Sequence, residues 1–401
     1  MKRKILLAVI FTFVCMIFIT SKGYTAPEGI KRGITDDMIK LGFINSITGM
    51  GAANVVPVLD GIRNYTRYIN DNGGIHGRKI KLIAEDDRLT VPGSVAAFKK
   101  LVYKDGIFTL IGPASGGPYA LKDQFIKEKL PTFAMAASED MTKPYTRYIF
   151  IPLDTYENQI GIILDYILET TKIKNPKIVN AVIDTGAKSS IIRGFDRWTK
   201  HFGINYTNLL IPLNVIDTTA EMLTLKKEGA DYIIVTHVIP AAALILKDSK
   251  RFGLNVKVYG TCTLTSEDVL KIAGPVTNFY GIHSVSSWYD DTPGVADMRK
   301  ITLKYHPGTE KSVRPKNYTI GWVIMKILSE GLKRTDKDLD NEKFIDAMET
   351  LNNFDTQGLS GPITYTSNDH EGMKYDRIYH ADPEQNKLTP ISDWRKVPEL
   401  K

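Results

Sequence analysis

The segment Phe108–Ser138 constrains the fold more than any other part of the sequence, because it contains a strand, a loop, a helix and a second strand in succession. Phe108–Ile111 and Thr132–Met135 are short apolar runs of the kind that form buried parallel strands. Between them, apolar residues recur at helical spacing until Leu130-Pro131, where the proline ring stops the helix. Two parallel strands joined by a helix present their carboxyl ends at one edge of the sheet, which is where open α/β sheets bind ligands.

The loop within this segment is suited to an anionic group. Gly116 and Gly117 allow the backbone to approach a ligand closely, and Pro118 fits the first position of the following helix. The backbone N–H groups at that helix start favour a carboxylate or another anion. Ser115 and Ser138 add hydroxyl groups at the two strand ends. An ordinary strand-to-helix turn with solvated serines explains the same residues, so both interpretations stay open at this point.

The alternation of strand and helix continues along most of the chain. Residues 39–153 read as strands separated by helices, and a second block of the same kind begins near residue 154. Such alternation is typical of doubly wound parallel sheets. The sequence therefore predicts the α/β class with two β/α blocks, and the lack of a short internal repeat argues against a solenoid.

The N-terminus has the features of a secretory signal peptide. Met1–Lys4 is basic, Ile5–Ile19 is apolar apart from one threonine, and a short polar segment with small residues follows. The apolar run is shorter than the roughly 18–20 residues of a spanning helix. We predict a signal peptide at residues 1–26, cleaved after Ala26 or Gly23, and an exported periplasmic protein. An uncleaved N-terminal anchor is the alternative.

Charge and motif content exclude several function classes. The net charge of +7 falls to +3 without residues 1–26. So small a net charge argues against a nucleic-acid-binding protein. Those residues also contain one of the two cysteines, which leaves Cys262 without an intramolecular disulfide partner. Gly49 and Gly51 lack the third glycine of the dinucleotide fingerprint, and the seven histidines show no zinc-binding spacing. We therefore expect no cofactor, no metal and no enzymatic activity.

Five segments, taken together and in order, resemble the periplasmic solute-binding proteins of ABC transporters, branched-chain amino acid (leucine-binding-protein-like) type. They are IKLGFINSITGMGA at 39–52, NDNGGIHGRKIKLIAEDD at 70–87, IGPASGGPYA at 111–120, LPTFAMAAS at 130–138 and GLSGPITYTSNDH at 358–370. The resemblance covers essentially all of the chain after the signal peptide. It implies the type I periplasmic binding protein fold, in which two doubly wound β/α lobes are joined by three crossings and enclose a ligand cleft.

The resemblance also implies domain boundaries and ligand contacts. The crossings fall near Leu153, His283 and Phe354–Gln357, so that lobe 1 comprises 34–153 plus 284–355 and lobe 2 comprises 154–283 plus 356–395. In amino-acid-binding members, backbone groups and hydroxyls of lobe 1 bind the α-carboxylate. The matching residues of this chain are Ser115, Ala136 and Ser138, and we predict that Gly116 and Ala137 beside them also contact the ligand.

Lobe 2 departs from the pattern of the amino-acid binders. The family's Asp-x-x-x-Tyr-Gly segment corresponds to Asp184–Ser189, where Lys188 replaces the tyrosine. Cys262 lies near the position of the glutamate that binds the ligand's ammonium group. Since a buried ammonium without an acidic partner is costly, family members that take aromatic or other apolar carboxylates fit these differences better. Lys188 is either a partner for an acidic ligand group or a solvated lysine.

Two further residues are candidates on the lobe 2 side of the cleft. Tyr156, just past the first crossing, either stacks on the ligand or packs as a hinge aromatic. His237 follows the strand at 232–236, where it either faces the cleft or is a capped structural histidine.

We therefore expect a monomeric solute-binding protein that captures a small carboxylate-bearing ligand, an amino acid or an aromatic or apolar carboxylate, by lobe closure. It would deliver that ligand to a membrane ABC permease. A ligand-sensing subunit of a signalling receptor is the alternative, because lobe closure serves both roles. An exported enzyme is a third possibility.

Overall fold

The observed strands alternate with helices and form two separate sheets, which confirms the predicted α/β class with two lobes. The computed structural model describes residues 29–184, 186–236, 238–305 and 314–400. The predicted signal peptide at residues 1–26 and His237 lie outside the described residues. Within the described part of the chain, no helix is long and apolar enough to cross a membrane.

The strands and helices have the following bounds. The strands are β1 Met38–Asn45, β2 Lys79–Asp86, β3 Thr109–Ile111, β4 Thr132–Phe133, β5 Ile149–Phe150, β6 Ile178–Ile183, β7 Tyr206–Ile211, β8 Tyr232–Thr236, β9 Lys257–Gly260, β10 Phe279–His283, β11 Tyr375–Asp382, β12 Lys387–Pro390 and β13 Arg395–Lys396. The helices are α1 Ala52–Asp71, α2 Val91–Lys99, α3 Gly117–Lys127, α4 Tyr156–Thr170, α5 Lys188–Phe202, α6 Thr219–Glu228, α7 Ile239–Arg251, α8 Glu267–Ala273, α9 Pro293–Tyr305, α10 Lys316–Arg334 and α11 Asn341–Glu349.

The first sheet is wholly parallel, with the strand order β2-β1-β3-β4-β5. Its strands are short and apolar, as expected for strands that are covered on both faces. β4 ends before the predicted Met135 because the Met135 N–H donates to Pro113 O of the glycine loop, at 3.1 Å. The loop after β3 is thereby tied to the end of β4, and both strand ends lie together at the carboxyl edge.

The second sheet has the order β12-β11-β10-β9-β8-β6-β7, and β13 pairs with β11. The strands from β6 to β10 are parallel, whereas β11 and β12 run antiparallel at one side. After β10 the chain leaves this sheet and forms α9, α10 and α11 before it returns in β11. Each lobe is thus discontinuous in sequence. Helix α10, which lies between β10 and β11 of the second sheet, packs on α1 beside the first sheet.

Helix α10 carries this packing, because it crosses α1 at a pair of glycines. A Cβ at Gly321 would lie 1.9 Å from Val58 O, and one at Gly61 would lie 2.3 Å from Tyr318 O. Real Cβ contacts are never that short, so the two helices approach closely only because both positions are glycine. The crossing fixes α10, and with it the segment that precedes it, against the lobe of the first sheet.

The segments that connect the sheets meet at a pair of buried carboxyl groups. Ser284 Oγ accepts a hydrogen bond from Asp154 N at 3.1 Å and donates one to Asp376 Oδ1 at 2.7 Å. Both aspartates are fully buried, and no donor among the described residues reaches Oδ2 of either. Burial and the facing carboxyl of Asp376 raise the pKa of Asp154 well above its usual range, and burial raises the pKa of Asp376 to about 6.

The lobe boundaries at 34–153 plus 284–355 and 154–283 plus 356–395 stay a prediction. One contact bears on the third boundary, because His370 Nδ1 lies 3.0 Å from Ile149 O and its ring stacks on Phe150. His370 therefore lies beside β5 of the first sheet. This contact favours a third crossing that comes later in the sequence than the predicted Phe354–Gln357.

Candidate functional site

A cavity of about 100 Å³ lies between the carboxyl edges of the two sheets. Because roughly 10–15 Å³ is enough to admit one water molecule, this cavity has room for a small ligand. Its lining combines residues that follow β1, β3 and β4 of the first lobe with residues that follow β6, β8 and β9 of the second. These residues are Asn45, Ser46, Gly51, Asn54, Val55, Leu89, Ala114, Ser115, Met135, Tyr156, Ile183, Ala187, Thr236, Val238 and Thr263.

The first-lobe wall presents two serine hydroxyls. Ser46 follows β1, and its Oγ is buried without a hydrogen-bond partner among the described residues. It fits there because Gly51 has no side chain, since a Cβ at Gly51 would lie 1.8 Å from Ser46 Oγ. Ser115 follows β3 with φ at 56°, in the left-handed region. This conformation is uncommon outside glycine and is found often at ligand-binding loops.

The second-lobe wall mirrors this arrangement. Thr236 ends β8, and its Oγ1 is also buried without a partner among the described residues. A buried hydroxyl without a partner costs about 1–3 kcal/mol. Two such hydroxyls belong to residues on opposite walls of one cavity, which makes them candidate hydrogen-bond partners for a polar ligand.

Asn54 of α1 joins the two walls. Its Nδ2 donates to Thr263 O at 2.7 Å, and its Oδ1 accepts from Ile239 N, at the start of α7, at 3.4 Å. Asn317 Nδ2 in turn donates to Asn54 O at 3.1 Å. A lobe 1 helix is thus hydrogen-bonded to two lobe 2 loops, as expected of a closed cleft.

Tyr156 lies at the start of α4, where its ring lines the cavity and its N–H donates to Ala137 O at 2.6 Å. Burial, together with the nearby Cys262, raises the pKa of Tyr156 far above its usual range. The phenol therefore stays protonated and offers a hydrogen-bond donor rather than a charge.

The described lining contains neither an acid nor a base apart from this phenol. Its apolar side chains surround the space between the two unpartnered hydroxyls. A charged ligand group would here be met by hydroxyl groups, which can donate hydrogen bonds to a carboxylate. An ammonium group would find no carboxylate in the described lining.

The predicted site residues fall into three groups. Ser115 and Tyr156 line the cavity. Gly116, Ala136 and Ala137 are close to lining residues in sequence but are not part of the lining. The two alanines are buried, and a Cβ added at Gly186 would lie 3.3 Å from Gly116 Cα.

The other three described residues form contacts within the protein. Ser138 Oγ lies 2.7 Å from Ser190 Oγ of α5. Lys188 Nζ pairs with Asp184 Oδ1 at 3.0 Å, with both side chains well exposed. The Cys262 thiol is buried and accepts from Gln159 Nε2 at 3.2 Å, and burial raises the pKa of Cys262 to about 12. Their roles as ligand contacts stay predictions.

Sequence reasoning missed five polar residues of the lining, Asn45, Ser46, Asn54, Thr236 and Thr263. All but Asn54 lie at or just after the carboxyl ends of β1, β8 and β9, so the strand-end rule that selected Ser115 would have found them too. The described residues contain no cluster of His, Cys, Asp and Glu suited to a metal ion.

Comparison with known proteins agrees with this geometry. The periplasmic binding protein family model matches residues 38–386. The Leu/Ile/Val-binding protein BraC3 of Rhizobium johnstonii is 23% identical over 334 residues, which is 82% of this chain and 87% of that protein. The Leu/Ile/Val-binding protein of Escherichia coli is 23% identical over 333 residues, 82% of this chain and 86% of that protein.

Solved structures share the fold at lower identity. A branched-chain amino acid ABC transporter protein from Thermus thermophilus with bound valine superposes with a TM-score of 0.82 at 22% identity, covering 90% of this chain and 97% of that one. A fatty acid ABC transporter substrate-binding protein from Thermomonospora curvata has a TM-score of 0.82 at 20% identity, covering 94% and 96%. The family model spans most of the sequence, and the chain therefore belongs to the periplasmic binding protein family.

Proposed function

We propose that this protein is an exported solute-binding protein, with its signal peptide removed, that captures a small carboxylate-bearing ligand with an apolar body. The ligand is held between the lobes and delivered to an ABC permease, without chemical change. The single observation that carries the ligand class is the cavity lining. It combines apolar side chains with unpartnered hydroxyls at Ser46 and Thr236, and it has no acid or base among its described residues.

This lining favours an aromatic or other apolar carboxylate over an amino acid. Burial of an ammonium group away from a carboxylate costs several kcal/mol, whereas a carboxylate is stabilised by backbone N–H groups and hydroxyls. The names of the relatives are compatible with this class, since valine and fatty acids both join a carboxylate to an apolar body.

The first test is to denature the purified protein and to identify any released small molecule by mass spectrometry. We expect a small carboxylic acid with an apolar body. Recovery of an amine without a carboxyl group, or of a sugar, would contradict the ligand class. Turnover of the bound compound would contradict a role limited to binding.

The second test separates the two charged groups of an amino acid. Thermal-shift titrations compare leucine with 4-methylpentanoate, which lacks the ammonium group, and with 3-methylbutylamine, which lacks the carboxylate. We expect stabilisation by 4-methylpentanoate at least as large as by leucine, and none by the amine. Stabilisation by leucine alone would show that the cleft contains an ammonium partner and would return the protein to the amino-acid binders.

A further inference from the structure

Three consecutive residues after β4, Ser138, Glu139 and Asp140, point toward the lobe of the second sheet. Ser138 caps a short helical turn, Glu139–Met141, by accepting a hydrogen bond from Asp140 N at 3.2 Å. The turn therefore presents the Glu139 and Asp140 carboxylates in a fixed direction. Burial alone would raise the pKa of Glu139, but hydrogen bonds and charge from Arg197 and Lys143 outweigh it and lower that pKa, so Glu139 is ionised at neutral pH.

Helix α5 of the second lobe presents three matching residues. Ser190, Arg193 and Arg197 are spaced at i, i+3 and i+7, which places them on one face of the helix. Because α5 follows β6 of the second sheet, this face belongs to the opposite lobe from β4.

Each of the three residues after β4 has one partner on α5. Ser138 Oγ lies 2.7 Å from Ser190 Oγ. Asp140 Oδ1 accepts from Arg193 Nη2 at 2.6 Å. Glu139 accepts two hydrogen bonds from Arg197, at 2.7 and 2.9 Å.

Two of the three contacts are better shielded from solvent than ordinary surface ion pairs. The Arg197–Glu139 pair is bidentate, and the Glu139 side chain is only 11% exposed. Ser138 and Ser190 are fully buried, and Ser190 Oγ donates to the buried Glu157 carboxyl. Solvent therefore screens the Arg197–Glu139 pair less than it screens exposed charges, whereas the exposed Arg193–Asp140 pair is screened as a surface ion pair.

We propose that Ser138, Glu139 and Asp140 form an interlobe latch with Ser190, Arg193 and Arg197, and that this latch sets ligand affinity by stabilising the closed arrangement of the lobes. The three pairs join atoms of different lobes at hydrogen-bond distance, so they exist only when the lobes are together. None of the six residues lines the cavity. The latch therefore shifts the closed fraction without touching the ligand, and apparent affinity changes in proportion to that fraction. This proposal rests on the proposed function in one respect, namely that closure of the lobes captures the solute.

The test measures lobe separation without ligand. Spin labels are attached at Lys127→Cys on α3 and Lys227→Cys on α6, both exposed positions, while the native Cys262 is buried and does not compete. Pulsed electron paramagnetic resonance then gives the distance distribution for the denatured and refolded, ligand-free protein. Removing both pairs with Arg193→Gln and Arg197→Gln should raise the open-to-closed ratio roughly tenfold, as expected for two ion pairs. Raising the salt concentration to 1 M should shift the parent protein in the same direction.

Two control proteins make the result specific. Arg251→Gln removes an arginine of the second lobe whose ion pairs, with Asp217 and Asp248, stay within that lobe, and should leave the distribution unchanged. The exchanged pair Glu139→Arg with Arg197→Glu should restore the closed distance. Identical distributions for the parent and the double variant, open or closed, would overturn the latch. Since no ligand is present, that result is independent of whether a carboxylate proves to be the solute.

Discussion

Glu157 provides the sharpest prediction, because its carboxyl group is buried beside the latch. It lies near the start of α4, is fully buried, and accepts hydrogen bonds from Ser190 Oγ and, at 3.4 Å, from Glu139 N. Burial raises the pKa of Glu157 to about 7. The substitution Glu157→Gln keeps an acceptor for Ser190 while it removes the charge.

The sign and size of the effect follow from this raised pKa. Between its usual 4.5 and about 7, the folded protein binds a proton at Glu157 that the unfolded chain has released. The free energy of unfolding therefore falls as the pH rises through this window. Because a tenfold change in an equilibrium is about 1.4 kcal/mol, the full loss is about 3 kcal/mol. Glu157→Gln should not show this loss. Its free energy of unfolding should therefore rise by about 3 kcal/mol relative to that of the parent between pH 4.5 and pH 8.

Urea unfolding at pH 4.5, 6, 7 and 8 measures this difference. Tryptophan fluorescence is a suitable signal, since the Trp198 indole donates to Glu157 O at 2.7 Å. Glu169→Gln, at the solvent-exposed end of the same helix, is the matched control and should follow the parent at every pH. Parallel stability curves for the parent and Glu157→Gln would refute the argument, because they would show that the buried carboxyl does not take up a proton on folding.

Three further substitutions test other parts of the structure. Thr236→Val removes an unpartnered buried hydroxyl, so it should raise the free energy of unfolding of the ligand-free protein by about 1–3 kcal/mol and weaken binding of the recovered ligand roughly tenfold in calorimetric titration. Gly321→Ala places a methyl group against Val58 O and should lower the free energy of unfolding in urea by about 2 kcal/mol. Asp154→Asn supplies a permanent donor to Asp376, so its melting temperature should fall less than that of the parent as the pH rises above about 4. Equal falls would show that Asp154 takes up no proton on folding.

The sequence predicts most of the fold because its dominant signal is local. Apolar runs such as Lys177–Ile183 and amphipathic helices such as Asn158–Thr171 are separated by turn residues, and the observed β6 and α4 match them within two residues at each end. The pairing of α10 with α1 could not be predicted, because it depends on glycines that lie far apart in sequence. The meeting of Asp154 and Asp376 at the crossings is likewise a tertiary event that no local pattern encodes.

The candidate site was only half predictable for a related reason. The strand-end rule identifies a whole edge of each sheet, and in a two-lobed protein that edge supplies both ligand contacts and contacts between the lobes. Ser115 and Ser138 both end strands of the first lobe, yet one lines the cavity and the other bonds to Ser190 of α5. The partner of Ser138 is 52 residues away and on the other lobe, so the sequence offers no signal that separates the two serines.

The hydrogen bonding of the folded chain distinguishes hydroxyls that await a ligand from hydroxyls that join the lobes. A buried hydroxyl without a partner costs about 1–3 kcal/mol, and a ligand that supplies the partner recovers that cost. Ser46 and Thr236 carry this cost on opposite walls of the cavity, whereas Ser138 is satisfied by Ser190 and Asp140. We therefore expect polar groups of the ligand at Ser46 and Thr236, and we expect Ser138 to act on affinity through closure. Substitution of Ser138 by alanine should then weaken binding of the recovered ligand while leaving the preference among carboxylates unchanged, whereas Thr236→Val should change that preference.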